Sequence, residues 1–154
     1  TVWAKTLYAW SWGACDYIWY NLRATGWLEG SEPGYGLITA GFRPRAGYAA
    51  FAALTAIFQG LDADGRLISR HPLHLYRFKG EKDGFRGIVL AGWDWNAETA
   101  HSVRIKPDAA RAALSDHMGN RTSVAIKDGV VTFPLDSKPK ALLLDGATTA
   151  ELAD

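Results

Sequence analysis

The chain has 154 residues, with 17 Lys and Arg against 16 Asp and Glu, a formal net charge of +1. That balance gives no electrostatic footprint for nucleic acid or an anionic membrane surface, and 48% hydrophobic with 21% charged residues is a globular composition. No apolar run reaches the ~18–20 residues of a membrane-spanning helix, the opening TVWAKTLYAW does not read as a signal peptide, and the single cysteine, Cys15, excludes an internal disulfide and a CxxC metal site.

Aromatic residues are unevenly spread: 13 of the 19, including five of the seven Trp, fall in residues 1–60, while all four His follow residue 70. Residues 2–12 place Trp3, Leu7 and Trp10 at i, i+4, i+7, one face of a helix that Gly13 can close. A chain that opens almost inside a helix leads us to expect a natural protein that begins earlier. Residues 14–20, ACDYIWY, are strand-like. Residues 21–36 hold four Gly and a Pro and read as a long irregular loop. Pro44 then sits at a helix first turn, opening a second helix with Tyr48, Phe51, Leu54 and Phe58 on one face and alanine on the other, ended by Gly60. So little polar surface predicts a helix covered on more than one side.

LDADGRL, residues 61–67, reads as a joint, after which the hydrophobic period changes to two. Strands are expected over 73–79, 85–91, 101–106, 112–116, 122–127, 130–135 and 140–144, separated by turn signals that include Asp128-Gly129, a type I′ hairpin pair. Residues from about 72 to 145 are therefore expected to form an antiparallel β-sandwich. The helix–strand–loop–helix segment before it cannot be a complete domain, because one strand leaves its backbone groups without partners.

The stretch Ile18-Trp19-Tyr20-Asn21-Leu22-Arg23, followed by Gly34-Tyr35-Gly36-Leu37-Ile38 and by Arg43-Pro44-Arg45 leading into Tyr48 and Ala49, resembles the last βα unit of a clan A retaining glycoside hydrolase. The later Gly87-Ile88-Val89-Leu90 and Asp116-His117-Met118-Gly119-Asn120 resemble the β-sandwich that follows the barrel in enzymes of the xylosidase and iduronidase type. The resemblance implies an α+β chain, the final helix–strand–helix of a (β/α)8 barrel in residues 1–61 and an accessory sandwich in 62–154. On this alignment residues 2–12 are the seventh barrel helix, 15–20 the eighth strand and 44–59 the eighth helix. A whole barrel takes roughly 250 residues. By the same resemblance, the acid/base and nucleophile Glu follow earlier strands and lie before Thr1.

Retaining hydrolysis needs two carboxyl groups about 5–5.5 Å apart, and nothing in the spacing of Glu29 and Glu32, the acids of the long loop, imposes that separation. No catalytic residue is assigned within the chain. Under the resemblance, Trp19 stands at the C-terminal end of a barrel strand, where an indole can stack on a sugar ring or simply pack in the barrel wall. Asn21 and Arg23 open the loop and can donate to sugar hydroxyls. Trp27 and Tyr35 lie farther along it, at a distal subsite or over the barrel rim, and Glu29 between them is either a substrate-binding group or a solvated loop acid. Tyr20 alternates to the opposite face and is expected under the eighth helix.

His71 and His74 lack a third ligand for zinc. Asp116-His117 reads as a turn with Gly119 and Asn120, without the G-x-S-x-G elbow of a serine hydrolase. Asp16 reads as a strand-entry group and Cys15 as a buried small residue. Trp93 and Trp95 flank Asp94 either as a carbohydrate-binding patch or as packing groups. Trp3, Trp10, Tyr17, Tyr48 and Phe51 are expected to face a partner, either the rest of a barrel or a second copy. The implied function is the C-terminal portion of a hydrolase of O-glycosidic bonds, with a carbohydrate substrate and no cofactor; the alternative is a non-catalytic sandwich that binds carbohydrate or docks on protein.

Overall fold

The computed structural model describes residues 2–19, 21–23, 36–96 and 101–153. Helix α1 spans Val2–Ser11 and buries Trp3 and Leu7 completely, with Trp10 packed beside them. Its end is a Schellman cap: Gly13 adopts φ +89°, its N–H donates to the Trp10 carbonyl at 2.9 Å, and the Ala14 N–H reaches the Ala9 carbonyl at 3.2 Å.

Residues 14–19 then run without strand pairing, so the expected strand over 15–20 is not formed among the described residues; Tyr20 lies outside them. The physical reason is the one that makes any lone strand unstable, the lack of a neighbour for its backbone groups. Cys15, expected to be buried, is exposed on this unpaired segment.

Helix α2 spans Ala46–Phe58, two residues after Pro44, which instead pairs with Ile38 in an isolated bridge. Its buried face is Ala50, Ala53, Leu54, Ile57 and Phe58, whereas Tyr48 is exposed and Phe51 half-buried. The buried face thus combines two of the alanines with Leu54 and Phe58 of the expected face, while Ala52 and Ala56 are exposed. The Trp3 indole N–H donates to the Ala50 carbonyl at 2.7 Å, an approach that a larger residue at 50 would obstruct. The Lys82 ammonium donates to the Thr55 and Ala56 carbonyls, both at 3.2 Å, a cation placed at the helix C-terminus.

Among the described residues nine strands follow: β1 (Leu61–Arg70), β2 (Leu73–Lys82), β3 (Phe85–Asp94), β4 (His101–Pro107), β5 (Arg111–Asp116), β6 (Arg121–Val124), β7 (Val131–Leu135), β8 (Lys140–Asp145) and β9 (Ala150–Leu152). They form a six-stranded sheet ordered β1-β2-β3-β8-β5-β6 and a three-stranded sheet ordered β7-β4-β9, with antiparallel ladders throughout. The expected antiparallel strands over 72–145 are present, and Asp128 (φ 51°) and Gly129 (φ 74°) make the tight turn closed by the Lys127–Val130 bridge. The supposed joint at 61–67 is part of β1. Its aspartates and glycine fit an edge strand because bulges after Ala63 and Arg66 interrupt the register, and the Asp64 carboxylate pairs with Arg77 at 2.9 Å and Lys79 at 2.7 Å.

The large sheet has a core on each face. Leu75, Ile88, Leu90, Leu142 and Leu144 meet Ile105, Val131, Phe133 and Leu135 of the small sheet. On the opposite face Tyr76, Phe78, Val89, Ala91, Trp93 and Leu143 meet α1 and α2. Trp3 therefore faces this chain's own sheet, and its expected outward role is corrected: an apolar helix face beside an apolar sheet face is covered intramolecularly first.

Trp3→Ala and Phe133→Ala, one in each core, should each destabilise the chain by about 3–5 kcal/mol in urea unfolding. Helical and sheet signals should disappear in one transition. Loss of the helical signal at clearly lower urea would show that the helices do not share a cooperative core with the sheet.

Candidate functional site

The candidate sugar-contacting residues lie on the segment that leaves the α1 cap. Trp19 is half-buried; its ring centroid is 5.9 Å from the Lys5 Nζ of α1 and 6.3 Å from the Tyr17 ring, tilted by 33°. The Trp19 Nε1 and the Asn21 Oδ1 are both buried and have no hydrogen-bond partner among the described residues. A polar atom left in that state costs about 1–3 kcal/mol. The segment thus carries an indole donor and an amide acceptor that no described residue satisfies.

Arg23 is anchored. Its Nε and Nη2 both donate to the Ala40 carbonyl, at 3.1 and 2.8 Å, and its guanidinium lies 4.2 Å from the Phe42 ring centroid. Backbone bonds from Leu37 N–H to the Asn21 carbonyl and from Ile38 N–H to the Leu22 carbonyl hold the two ends of the long loop together. Arg23 consequently braces the 39–42 turn, and Phe42 is held there at φ 63°. The structure brings Trp19, Asn21 and Arg23 onto one short segment. Trp27 and Glu29 lie outside the described residues, as do Glu32 and Tyr35.

Beside this segment is a groove of about 540 Å³ between α1, residues 14–17 and α2, lined by Trp10, Cys15, Asp16, Tyr17, Phe51 and Leu54 among others. It collects three of the aromatics expected to meet a partner, Trp10, Tyr17 and Phe51.

The remaining polar candidates divide into turn formers and a buried cluster. Asp116 accepts the Met118 and Asn120 backbone N–H groups, both at 2.9 Å, and the Asn120 side-chain amide at 2.8 Å. Burial raises its pKa, but these hydrogen bonds outweigh it and leave the carboxyl below its ordinary range. Asp116-His117 is therefore a turn, as its sequence indicates.

His74, by contrast, is buried under α1. It is stacked on Trp93 with centroids 5.3 Å apart, and its Nδ1 lies within hydrogen-bond reach, 2.9 Å, of the Tyr76 hydroxyl. Next to it Asp94 is fully buried, accepts the Asn96 N–H at 2.7 Å and has His101 Nε2 at 2.9 Å from Oδ2. That last contact is at ion-pair distance without hydrogen-bond alignment, since Oδ2 has no hydrogen-bonding partner. His71 is exposed, on the other side of Pro72. Sequence spacing singled out His71 and His74 only as an unlikely metal pair; the His74–Tyr76–Trp93 grouping depends on the β2–β3 register, His74 opposite Trp93, which spacing does not reveal.

No protein-family model and no curated protein matches the chain. Among solved structures the chain is similar to a family 39 glycoside hydrolase from the gut symbiont Bacteroides cellulosilyticus WH2, with a TM-score of 0.65 and 21% identity over 82% of this chain. The chain spans about a quarter, 26%, of the length of that structure. At this identity the likeness is one of fold. Residues 61–154 are under two-thirds of the sequence, so the match takes in part of the helical segment as well as the strands.

Burial first, and the charge of His71 second, hold the His74 pKa below its ordinary 6.5, against the opposing pull of Asp94. The unfolded chain takes up this proton near 6.5 while the folded chain does not, so stability is full above 6.5 and declines as pH falls from there toward the folded pKa. The His74 ring protons should titrate below 6.5 by NMR, and His74→Phe should flatten the fall in stability just below that pH.

Proposed function

We propose that the chain is the C-terminal portion of a glycoside hydrolase acting on O-glycosidic bonds, in which α1, the Trp19 segment and α2 complete a (β/α)8 barrel and the strands form its accessory sandwich. The observation that carries this is the fold likeness to a family 39 glycoside hydrolase across helices and strands together. The division into a barrel segment, 1–61, and a sandwich, 62–154, belongs to the same proposal. So does the partner: the rest of the barrel, or failing that a second copy, would cover the groove at Trp10, Tyr17 and Phe51 and offer groups to the unsatisfied Trp19 Nε1 and Asn21 Oδ1.

In this assignment the two carboxyl groups of retaining hydrolysis come from barrel strands outside these 154 residues. Trp19 contributes an apolar platform for a sugar ring. Asn21 offers an acceptor to a hydroxyl. Arg23 keeps the loop mouth in place through Ala40 and Phe42, and Trp27 and Glu29 extend the contact surface along the loop. The sandwich acts as a brace, because the helices that would close the barrel are packed on its sheet. One observation favours the alternative, a self-sufficient binding or docking module: Trp3, Leu7 and Phe58 are already buried within the chain.

The coding sequence upstream of Thr1 discriminates between the two. A reading frame continuing for several hundred residues, with an Asn-Glu after one strand and a Glu shortly before Thr1, is expected; a start codon near Thr1 would overturn the enzyme assignment. In that longer protein Trp19→Ala should lower kcat/KM on aryl glycosides by about tenfold or more, since ~1.4 kcal/mol of transition-state contact is a factor of ten. Parental turnover by a correctly folded Trp19→Ala variant would return Trp19 to the barrel wall. The 154-residue chain alone should leave the same substrates intact.

A further inference from the structure

A continuous file of rings runs along the seam between α1 and the large sheet. Successive centroids are 6.2 Å apart from Trp12 to Tyr8, 6.3 Å from Tyr8 to His74, 5.3 Å from His74 to Trp93 and 6.1 Å from Trp93 to Trp95. The two middle rings are buried, whereas Trp12, Tyr8 and Trp95 are exposed by 59%, 46% and 41%. None of the three is needed to fill either core. Yet each is held by ring contacts to its neighbours, so little side-chain freedom remains to be lost on binding.

We propose that this seam is a non-catalytic binding surface for a saccharide chain, whose rings lie against Trp12, Tyr8 and Trp95. The inference rests on the sugar-active assignment above but does not involve Trp19.

The chemistry of the seam separates this ligand from an apolar protein partner. Polar groups interrupt the aromatic surface: the Arg66 guanidinium sits 3.6 Å from the Trp12 centroid, His71 is exposed, and His101 is half-exposed against the buried Asp94 carboxylate. An apolar partner would bury these groups without hydrogen bonds, at a cost of several kcal/mol. A sugar covers an indole with its C–H face and meets the flanking donors with its hydroxyls. Beneath the surface the fully buried Trp93 carries an Nε1–H with no acceptor among the described residues, and the Asp94 Oδ2, at ion-pair distance from His101, has no aligned donor among them.

The test uses the 154-residue chain with xylohexaose, cellohexaose and polygalacturonate as probes, read by tryptophan fluorescence and by retardation in polysaccharide-loaded native gels. Saturable binding of at least one probe is expected. Trp95→Ala and Trp12→Ala, which remove exposed rings and should keep the parental circular dichroism, should each weaken it by about three- to tenfold, as loss of one aromatic contact implies. Leu152→Ala, at an exposed position on β9 of the small sheet, should leave it unchanged. No binding to any probe, or parental binding by both seam variants, overturns the proposal; a loss confined to Trp19→Ala also overturns it while leaving the barrel assignment standing. If Trp95→Ala abolishes self-association in sedimentation instead of saccharide binding, the seam is a protein interface and the proposal fails. Binding lost in the seam variants, with no hydrolysis by any longer form of the protein, would sink the hydrolase assignment and keep the surface.

Discussion

Strand β3 is buried on both sides. Every residue from Gly87 to Asp94 is shielded from solvent, so side chains pointing up and side chains pointing down both require an apolar cover. A sandwich of two sheets supplies one cover only. The second has to come from the helices, and this is why α1 and α2, which look in isolation like the start of another unit, share a core with the strands. Two glycines of β3 show how tightly it is held: a Cβ at 87 would fall 2.2 Å from the Leu144 carbonyl oxygen, and one at 92 would fall 2.7 Å from the Leu135 side chain.

This three-layer arrangement gives the candidate site a firm back. α1 is fixed to the sheet by Trp3 and Leu7 and capped at Gly13, so the chain leaves it in a defined direction toward Trp19. From there the Asn21 and Leu22 carbonyls and the Arg23 guanidinium tie the segment to residues 37–42, which lead into α2. Both ends of the loop are thus referred to the same rigid sheet. Trp19 Nε1 and Asn21 Oδ1, on this tied segment, have no hydrogen-bond partner among the described residues. Binding residues carried on loops and oriented by a packed scaffold are a common arrangement.

The strand pattern was legible in two forms: β4 and β7, with one face in a core and the other toward solvent, alternate, whereas β8, with a face in each core, reads as a short continuous apolar run. It failed at β1, where Asp62, Asp64 and Gly65 suggested a joint, because an edge strand with bulges does not need strict alternation. The three-residue β9 is too short to show a period. Half of the face expected of α2, Leu54 and Phe58, is buried; the rest of the buried face is turned toward Ala50, Ala53 and Ile57, where the close approach of Trp3 to the Ala50 carbonyl favours small residues. The strand expected over 15–20 had the right composition and lacks a partner, which no local pattern can report. Of the candidate site, the residue types at 19, 21 and 23 were apparent, but the clasp from Arg23 to Ala40 joins positions 17 apart, and the file of rings depends on strand register and helix docking together.

The topology also orders events in time. β8 lies between β3 and β5, although it follows both in the chain by a further two or more strands. Until residues 140–145 are available, β3 and β5 have no common neighbour and the large sheet exists only as two separate pieces. During synthesis from the N-terminus, α1 and α2 emerge long before the surface they cover is whole. Most of that surface, on β2 and β3, is available by residue 94, but its last part, Ala141 and Leu143, arrives only with β8, and such long-range closure is slow and open to misassociation. The segment from 140 onward is therefore a keystone: a ribosome stalled shortly before it would hold a chain with both helices made and no finished sheet to receive them, a natural client for chaperones.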